Sequence, residues 1–370
     1  MKIRLYSLGI LLTLFCGALL AQQSAGYSIN TVAGGHVLGD NGPATAALFL
    51  SQEKIITDAS GVMYIADTGN HRVRRIDASG TVKTIAGTGV AGFSGDGLAA
   101  TEAQLKSPIG LALDAQGNLH VADYGNNRIR RITPAGIIST VAGETSATRL
   151  SGPRGLAFDA SGNLYVTDST SGGRLARLTP KGEWQVVVGG GFSNPGGIAV
   201  ETSGNILVAD TGSHTVYRVT PTGEGTVVAG TGYAGFSGDR GPADSTAVRL
   251  NYPTDVALDR LGAIYIADAG NGRIRKVMHQ GSGDKPYIFT EAGGGSVPPF
   301  GGEYTTEDPV LGQVICRQAT VAVHMVFADV QHGGHFGAEL IGSLQLEARQ
   351  LQDVQLDIVA EQVQRRRTEV

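Results

Sequence analysis

Short apolar segments recur along most of the chain, and each is followed by a turn rich in Gly, Asn or Pro. One unit contains four of them in succession: Gly110–Asp114, Leu119–Asp123, Arg128–Ile132 and Ile138–Ala142. Their length and the turn residues between them predict four short antiparallel strands. Because the first two segments are apolar on both faces or nearly so, we expect a small sheet packed between neighbouring sheets.

This four-stranded unit occurs five times. The segment Asp67–Ile76 (DTGNHRVRRI) recurs as Asp123–Ile132 (DYGNNRIRRI) and Asp268–Val277 (DAGNGRIRKV), and weaker copies begin at Asp168 and Asp210. The five anchor aspartates are separated by 56, 45, 42 and 58 residues, so the basic unit has 42 to 45 residues and two intervals carry an insertion. Small sheets repeated with this period and stacked around an axis make a β-propeller.

The two insertions are themselves alike. Gly87–Gly97 (GTGVAGFSGDG) matches Gly230–Arg240 (GTGYAGFSGDR), and Gly39–Ala44 (GDNGPA) is a shortened relative. Long loops on a rigid scaffold often carry binding residues. We therefore select Phe93, Asp96, Phe236 and Asp239 as candidate ligand-binding residues. The alternative is structural, with the Phe under its loop and the Asp in a turn. One acid per loop supplies too few ligands for calcium.

The repeated segments resemble NHL repeats, whose blades carry a GNxR-like turn after an Ala-Asp pair. The resemblance covers roughly residues 29–329. It implies a propeller, often of six blades, that binds proteins, RNA or small molecules. A related lyase family holds metal ions in such a propeller.

Blade counting predicts an all-β, six-bladed propeller of four-stranded blades. Residues 29–34 match the last strand of a unit that lacks its first three strands, so we expect this N-terminal strand to complete the sixth blade. Such closure removes free sheet edges. The sixth unit is degenerate, because Phe327–Asp329 align with Val121–Asp123 while the first-strand pattern and the Gly-Asn turn are missing. An open or five-bladed ring is the alternative.

Both ends of the chain differ from the repeats. Lys2 and Arg4 precede an apolar run from Leu8 to Leu20, and the small residue Ala21 follows it, which predicts a signal peptide over residues 1–21. The run is shorter than the roughly 20 residues that span a bilayer, so we expect an exported, periplasmic or extracellular protein with no transmembrane segment in the mature chain. Residues 330–370 form a divergent tail in which near-heptad spacing favours a helix, whereas alternation over 354–358 favours a strand.

Composition narrows the classes of partner. The chain has 370 residues, of which 55 are Gly and 13 are Pro. This combined Gly and Pro content is below that of disordered low-complexity chains, so we expect the chain to fold. Charged residues are 17% and the net charge is −4, so a nucleic acid partner is disfavoured. Signal-peptide cleavage would leave Cys316 alone, which excludes an intramolecular disulfide in the mature chain.

The charged and amide residues of the repeats have structural interpretations. We expect the anchor aspartates Asp67, Asp123, Asp168, Asp210 and Asp268 to accept backbone N–H bonds and fix loops. We expect Asn70, Asn126 and Asn271 to adopt the left-handed turn. The arginines of the third strands are expected at solvated positions paired with nearby acids: Arg72, Arg74, Arg75, Arg128, Arg130, Arg131, Arg273 and Arg275.

No cofactor motif and no metal site is predicted. His324, His332 and His335 cluster near the C-terminus but lack a Cys or acidic partner at standard offsets. His120 falls on a strand, while His71 and His214 fall in equivalent turns. We expect an exported, non-catalytic scaffold that binds a protein or a cell-envelope glycan. A metal-dependent lyase or lactone hydrolase in the central channel is the competing class, and His, Asp or Glu converging on the axis would favour it.

Overall fold

Five antiparallel sheets follow one another in the computed structural model, which describes residues 39–143, 145, 148–169, 172–278 and 285–293. Within four sheets the strands pair in chain order, and in the fifth a short additional strand, the first in the chain, pairs with the last, so each sheet is one blade. This confirms the five predicted units. The predicted signal peptide, the predicted closing strand at 29–34, the predicted sixth unit and the C-terminal tail lie outside the described residues.

The blades are numbered in chain order. Blades 1 and 2 contain β1 (Gln52–Thr57), β2 (Met63–Asp67), β3 (Arg72–Ile76), β4 (Val82–Ala86), β5 (Pro108–Leu113), β6 (Leu119–Asp123), β7 (Arg128–Ile132) and β8 (Ile138–Ala142). Blades 3 and 4 contain β9 (Pro153–Phe158), β10 (Leu164–Asp168), β11 (Arg174–Leu178), β12 (Trp184–Val188), β13 (Pro195–Val200), β14 (Ile206–Asp210), β15 (Thr215–Val219) and β16 (Gly225–Ala229). Blade 5 contains β17 (Gly241–Pro242), β18 (Pro253–Leu258), β19 (Ile264–Asp268), β20 (Arg273–Met278) and β21 (Tyr287–Ala292).

The first strands of successive blades pack side by side in chain order and form the inner wall of the propeller. Apolar side chains fill the space between neighbouring sheets. Leu111 and Val121 of blade 2, for example, share one buried cluster with Val73 and Ala86 of blade 1. Sheets buried on both faces are what the continuous apolar segments predicted.

A single 3₁₀ turn follows the anchor aspartate in four blades, and two further turns precede strands: Thr68–Asn70, Tyr124–Asn126, Thr211–Ser213, Ala269–Asn271, Ala44–Ala46 and Ala100–Glu102. The left-handed residue is the one after the turn, with φ of 54° at His71 and 56° at Asn127. The expectation that Asn70, Asn126 and Asn271 take this conformation was therefore wrong. Their side-chain amides donate to the anchor aspartates instead.

The anchor aspartates are fully buried and hold the loop that enters each blade. Asp123 accepts the backbone N–H of Lys106 at 2.7 Å and the amide of Asn126 at 2.8 Å. Equivalent backbone N–H bonds, from a residue 17 positions earlier, reach all five aspartates. The predicted structural role is confirmed. Burial raises the pKa of Asp123 and Asp268, whereas the neighbouring Asn and Arg donors oppose that rise.

Three blades carry an extra segment along their outer edge, which we call the edge strap. The straps are Gly39–Ala44 on blade 1, Gly95–Ala100 on blade 2 and Gly238–Ala243 on blade 5. In blade 2 the strap residue Gly97 donates to the carbonyl of Ile138 at 2.8 Å, and Ile138 donates back to Leu98 at 3.0 Å. The insertions that lengthen the repeat thus become a partial additional strand, which satisfies backbone groups of the exposed sheet edge.

A buried arginine clamps each strap to its blade. Arg130 donates to Asp96 of the strap at 2.7 Å and lies 3.4 Å from the buried Asp123, while Asp96 also accepts from Thr140 at 2.7 Å. Arg74 with Asp40 and Arg275 with Asp239 repeat the arrangement. The pairing of these arginines with acids is confirmed. Their predicted solvated position was wrong, because all three side chains are fully buried between the two carboxylates.

In the described part of the chain, blades 3 and 4 have no strap, and they also lack the residues that would clamp one. The positions of Arg130 and Thr140 hold Ala176 and Val186 in blade 3. In blade 4 they hold Tyr217 and Val227. Val186 and Val227 are 50% and 44% exposed, and no further strand pairs with the outer strands β12 and β16 among the residues that the structure describes.

Candidate functional site

The interblade loops and the turns between second and third strands lie at one end of the propeller, which we call the loop face. In an antiparallel sheet the start of the first strand and the end of the second lie at the same edge. The insertions 87–107 and 230–252 belong to this face. The opposite face is formed by the turns between first and second strands and between third and fourth strands, such as 259–263.

The four candidate binding residues lie in the two insertions, and their side chains also contact the blades. The Arg128 guanidinium stacks on the Phe93 ring at 3.8 Å from its centroid, and Arg273 stacks on Phe236 at 3.9 Å. Both rings remain about two-fifths exposed, at 40% and 43%. Asp96 and Asp239 are the strap residues that clamp the buried arginines. Ligand binding by these four residues stays a prediction.

Further apolar side chains extend this surface. Val90 and Tyr233, at equivalent positions of the two insertions, are 59% and 71% exposed, and Tyr252 is 54% exposed. The Tyr252 ring packs edge-on against His214 at 4.7 Å between centroids. The loop face therefore combines exposed aromatic and aliphatic groups with arginine-stacked Phe rings held on a rigid base.

The second candidate site is a cavity of about 500 Å³ at the centre of the inner wall, at its loop-face end. All five described blades contribute residues to its lining: Glu53, Lys54, Ile109, Gly110, Arg154, Gly155, Asn194, Gly196, Gly197, Thr211, Tyr252, Thr254, Asp255, Ala269 and Gly270. The inner strands approach so closely here that a Cβ on Gly110 would lie 1.9 Å from the carbonyl oxygen of Arg154. Glycine is needed where backbones meet at this distance.

One buried ion pair crosses the inner wall. Lys54 Nζ lies 2.9 and 2.7 Å from the two carboxylate oxygens of Asp255, and both side chains are almost fully buried. Lys54 lies on β1 and Asp255 on β18, so the pair joins the first blade to the fifth. Their positive and negative charges compensate each other.

Two other charged side chains of the cavity, Glu53 and Arg154, lack a direct contact of this kind in the described ranges. No hydrogen bond or ion pair joins the side chains of Glu53 and Arg154 to another residue of the described ranges, and Arg154 Nε is buried without a partner there. The Arg154 guanidinium lies 5.6 Å from the Tyr124 ring centroid. Burial raises the pKa of Glu53, Arg154 opposes the rise and Asp255 adds to it. The sequence analysis singled out neither Glu53 nor Arg154.

His71 and His214 occupy equivalent turns, as predicted, and both bridge to the next blade. His71 Nδ1 accepts the backbone N–H of Ser107 at 3.2 Å, and His214 Nδ1 accepts that of Tyr252 at 3.1 Å. Asn127 Oδ1 accepts from Gly152 in the same way at 2.8 Å. These side chains thus fix interblade loops, which accounts for a polar acceptor at a left-handed position.

His120 is buried on β6, at a position that tyrosines occupy in blades 1, 3 and 5. Its Nε2 lies 3.2 Å from Asp114, and its ring packs edge-on against Phe158. Tyr64 makes the corresponding bond to Asp58 at 3.4 Å. Burial lowers the pKa of His120, an effect that Asp114 opposes.

Replacing His120 with Tyr is expected to make stability less sensitive to acid. The pKa of His120 is lower in the folded chain than in the unfolded chain, so the unfolded chain binds a proton at His120 first as the pH falls. The free energy of unfolding therefore decreases as the pH falls below about 6.5. Urea unfolding at pH 7.5 and 5.5 measures this loss, which we expect to be smaller in the His120→Tyr variant. An equal loss in both proteins would contradict the assignment.

Within the described ranges, no three His, Cys, Asp or Glu side chains lie together in a group that could hold a metal ion. In the same part of the chain, no helix has both the length and the hydropathy of a membrane span.

Comparisons with known protein families identify the repeats. The teneurin NHL domain matches residues 91–150, and the NHL repeat matches residues 192–216 and 250–277. The described part of the chain is thus a β-propeller, and its repeats match the NHL repeat and the teneurin NHL domain over these residues. The predicted resemblance is confirmed.

Curated relatives match over short stretches. The chain is 41% identical over 96 residues to SUPPRESSOR OF QUENCHING 1, a chloroplastic protein of Arabidopsis thaliana, covering 25% of this chain and 9% of that protein. It is 38% identical over 96 residues to mouse Teneurin-1, covering 22% of this chain and 4% of that protein. The chain thus spans less than a tenth of the length of these relatives.

Solved structures share the fold at low identity. An auxiliary nutrient binding protein from Bacteroides thetaiotaomicron superposes with a TM-score of 0.54 at 17% identity, covering 72% of this chain and 64% of that one. A gluconolactonase from Xanthomonas campestris has a TM-score of 0.48 at 17% identity, covering 65% and 76%. The likeness to the nutrient binding protein describes the fold alone.

Proposed function

We propose that the protein is an exported, non-catalytic binding scaffold whose loop face recognises a partner protein. The observation that carries this proposal is the set of exposed apolar side chains in the two long insertions, with Tyr233 71% and Val90 59% exposed. Aromatic residues and arginines are enriched at protein interfaces. The loop face supplies both, because Phe93 and Phe236 are stacked by arginines and need little further ordering on binding.

Proximity labelling at the loop face tests the proposal. A photo-crosslinking amino acid at Tyr233 should give a discrete protein adduct in cells that produce the protein naturally, and the partner is then identified by mass spectrometry. The control places the same group at Leu261, which is 94% exposed on the opposite face. Equal adducts from both positions would contradict a specific loop-face site.

Polar substitutions then measure the contribution of the surface. The double variant Val90→Ser and Tyr233→Ser should weaken binding of the purified partner by about tenfold or more, since a buried aromatic contact is worth over 1.4 kcal/mol. Leu261→Ser should leave the dissociation constant unchanged. If the double variant instead loses binding to a glycan array while no protein adduct forms, the partner is a glycan and the protein proposal fails.

A metal-dependent lyase or lactone hydrolase remains the alternative function. The central cavity is the observation in its favour, because Glu53 and Asp255 converge there with two cations. The described residues hold no group of three metal-ligating side chains. We therefore treat the cavity as a binding pocket in its own right.

A further inference from the structure

The central cavity contains polar groups that form no hydrogen bond with the described residues. Arg154 Nε and Thr254 Oγ1 are buried there without a hydrogen-bond partner among them. The carboxyl group of Glu53 makes no hydrogen bond within the same ranges. Buried polar groups in native proteins are nearly always satisfied by protein, water or ligand. Their convergence on one concave site indicates a ligand pocket.

We propose that this cavity binds a small organic carboxylate that also carries hydroxyl groups, with Arg154 receiving the carboxylate and Glu53 accepting a hydroxyl. The proposal is independent of the loop-face partner.

The chemistry of Arg154 defines the anionic end of the ligand. A guanidinium presents a fork of N–H donors that matches a carboxylate, and stacking on an aromatic ring leaves that edge free. Tyr124 provides such a ring at 5.6 Å. Lys54 cannot take this role while it holds Asp255 with both oxygens at 2.9 and 2.7 Å. Arg154 is therefore the cation available to an anion in the described part of the cavity.

Glu53 and Thr254 define the polar end. A second carboxylate on the ligand would meet the negative charge of Glu53, so a dicarboxylate is disfavoured. A hydroxyl group can donate to Glu53 and bond with Thr254 as well. A cavity of about 500 Å³ accommodates a ring of six carbons with its substituents. The glycines of the inner wall keep this space open, because a Cβ on Gly197 would meet the Asp255 carboxylate.

Three matched probes of similar size test these roles: quinate, inositol and cyclohexanecarboxylate. Saturation-transfer NMR and calorimetry on the full chain should show quinate bound most tightly. Inositol lacks the carboxylate and cyclohexanecarboxylate lacks the hydroxyls, so both should bind about tenfold more weakly. Absence of quinate binding at about 10 mM would overturn the proposal.

Two variants separate the ends of the pocket. Arg154→Gln should weaken quinate binding about tenfold and leave inositol unchanged, whereas Arg177→Gln, on the same blade outside the cavity, should affect neither probe. Glu53→Leu should abolish the preference for quinate over cyclohexanecarboxylate. Circular dichroism and urea midpoints of each variant establish that the fold is retained. Quinate binding that is unchanged in a folded Arg154→Gln variant would refute the assignment.

Discussion

Replacing Arg130 with Met is expected to lower the free energy of unfolding by about 3–5 kcal/mol. The Arg130 side chain is fully buried between Asp123, which is also fully buried, and Asp96 of the edge strap. Met fills much of the same volume but leaves the buried carboxylate without its cation. Breaking one partner of a buried ion pair is costly for this reason, even where the intact pair adds little net stability.

Urea unfolding followed by far-UV circular dichroism measures this loss. Arg131→Met is the matched control, because Arg131 lies beside Arg130 on β7, is partly exposed and forms no hydrogen bond or ion pair with the strap in the described ranges. It should cost below about 1 kcal/mol. Asp96→Ala should cost less than Arg130→Met, since Asp96 is about one-third exposed. Combining the two should be less than additive because they share one network. Equal losses for Arg130→Met and Arg131→Met would contradict the clamp.

Gly110→Ala is expected to destabilise the protein by about 3 kcal/mol. The new Cβ would lie 1.9 Å from the carbonyl oxygen of Arg154 on the neighbouring inner strand. A flexible side chain could move away, but a backbone oxygen in the inner wall moves only if two blades separate. Overpacking against backbone is therefore harder to relieve than overpacking against side chains.

Gly225→Ala is the matched control for this steric effect. Gly225 also lies in a strand, β16, but its Cβ would meet nothing within 4 Å. Removing a glycine from the unfolded chain should then be neutral or slightly stabilising. Urea midpoints of the two variants measure the difference. A Gly110→Ala protein as stable as the Gly225→Ala protein would show that the blades can part without cost.

The sequence predicted the strands because their determinants are local. Each strand of the second unit was placed within two residues of its observed bounds, since apolar periodicity and turn residues act over a few positions. The turn conformation was misplaced by one residue, at Asn126 instead of Asn127. Several polar residues suit a left-handed position, so a pattern alone does not select among them.

The clamp arginines and the central cavity depend on contacts between distant segments. An arginine in a short strand looks solvated until an insertion some 34 residues earlier folds back with its carboxylate, as Asp96 does for Arg130. A signal was present: the blades without an insertion carry Ala176 and Tyr217 at that position. Glu53 and Arg154 gave no such signal, because only the stacking of blades brings them together.

The outer strands around the propeller fall into two groups, those that pair with an edge strap and those that do not. Blades 3 and 4 are neighbours, so their outer strands β12 and β16 are adjacent on the circumference. Together they form an arc in which no edge strap pairs with the outer strands in the described residues. Amide hydrogens in that arc should exchange with solvent sooner than those of β8. Aggregation by pairing of edge strands between molecules would also begin there, because uncharged, valine-rich edge strands pair readily with other strands. Transplanting the Asp, Arg and Thr of blade 2 into blade 3, together with its insertion, would cover the β12 half of this arc and leave β16 as it is.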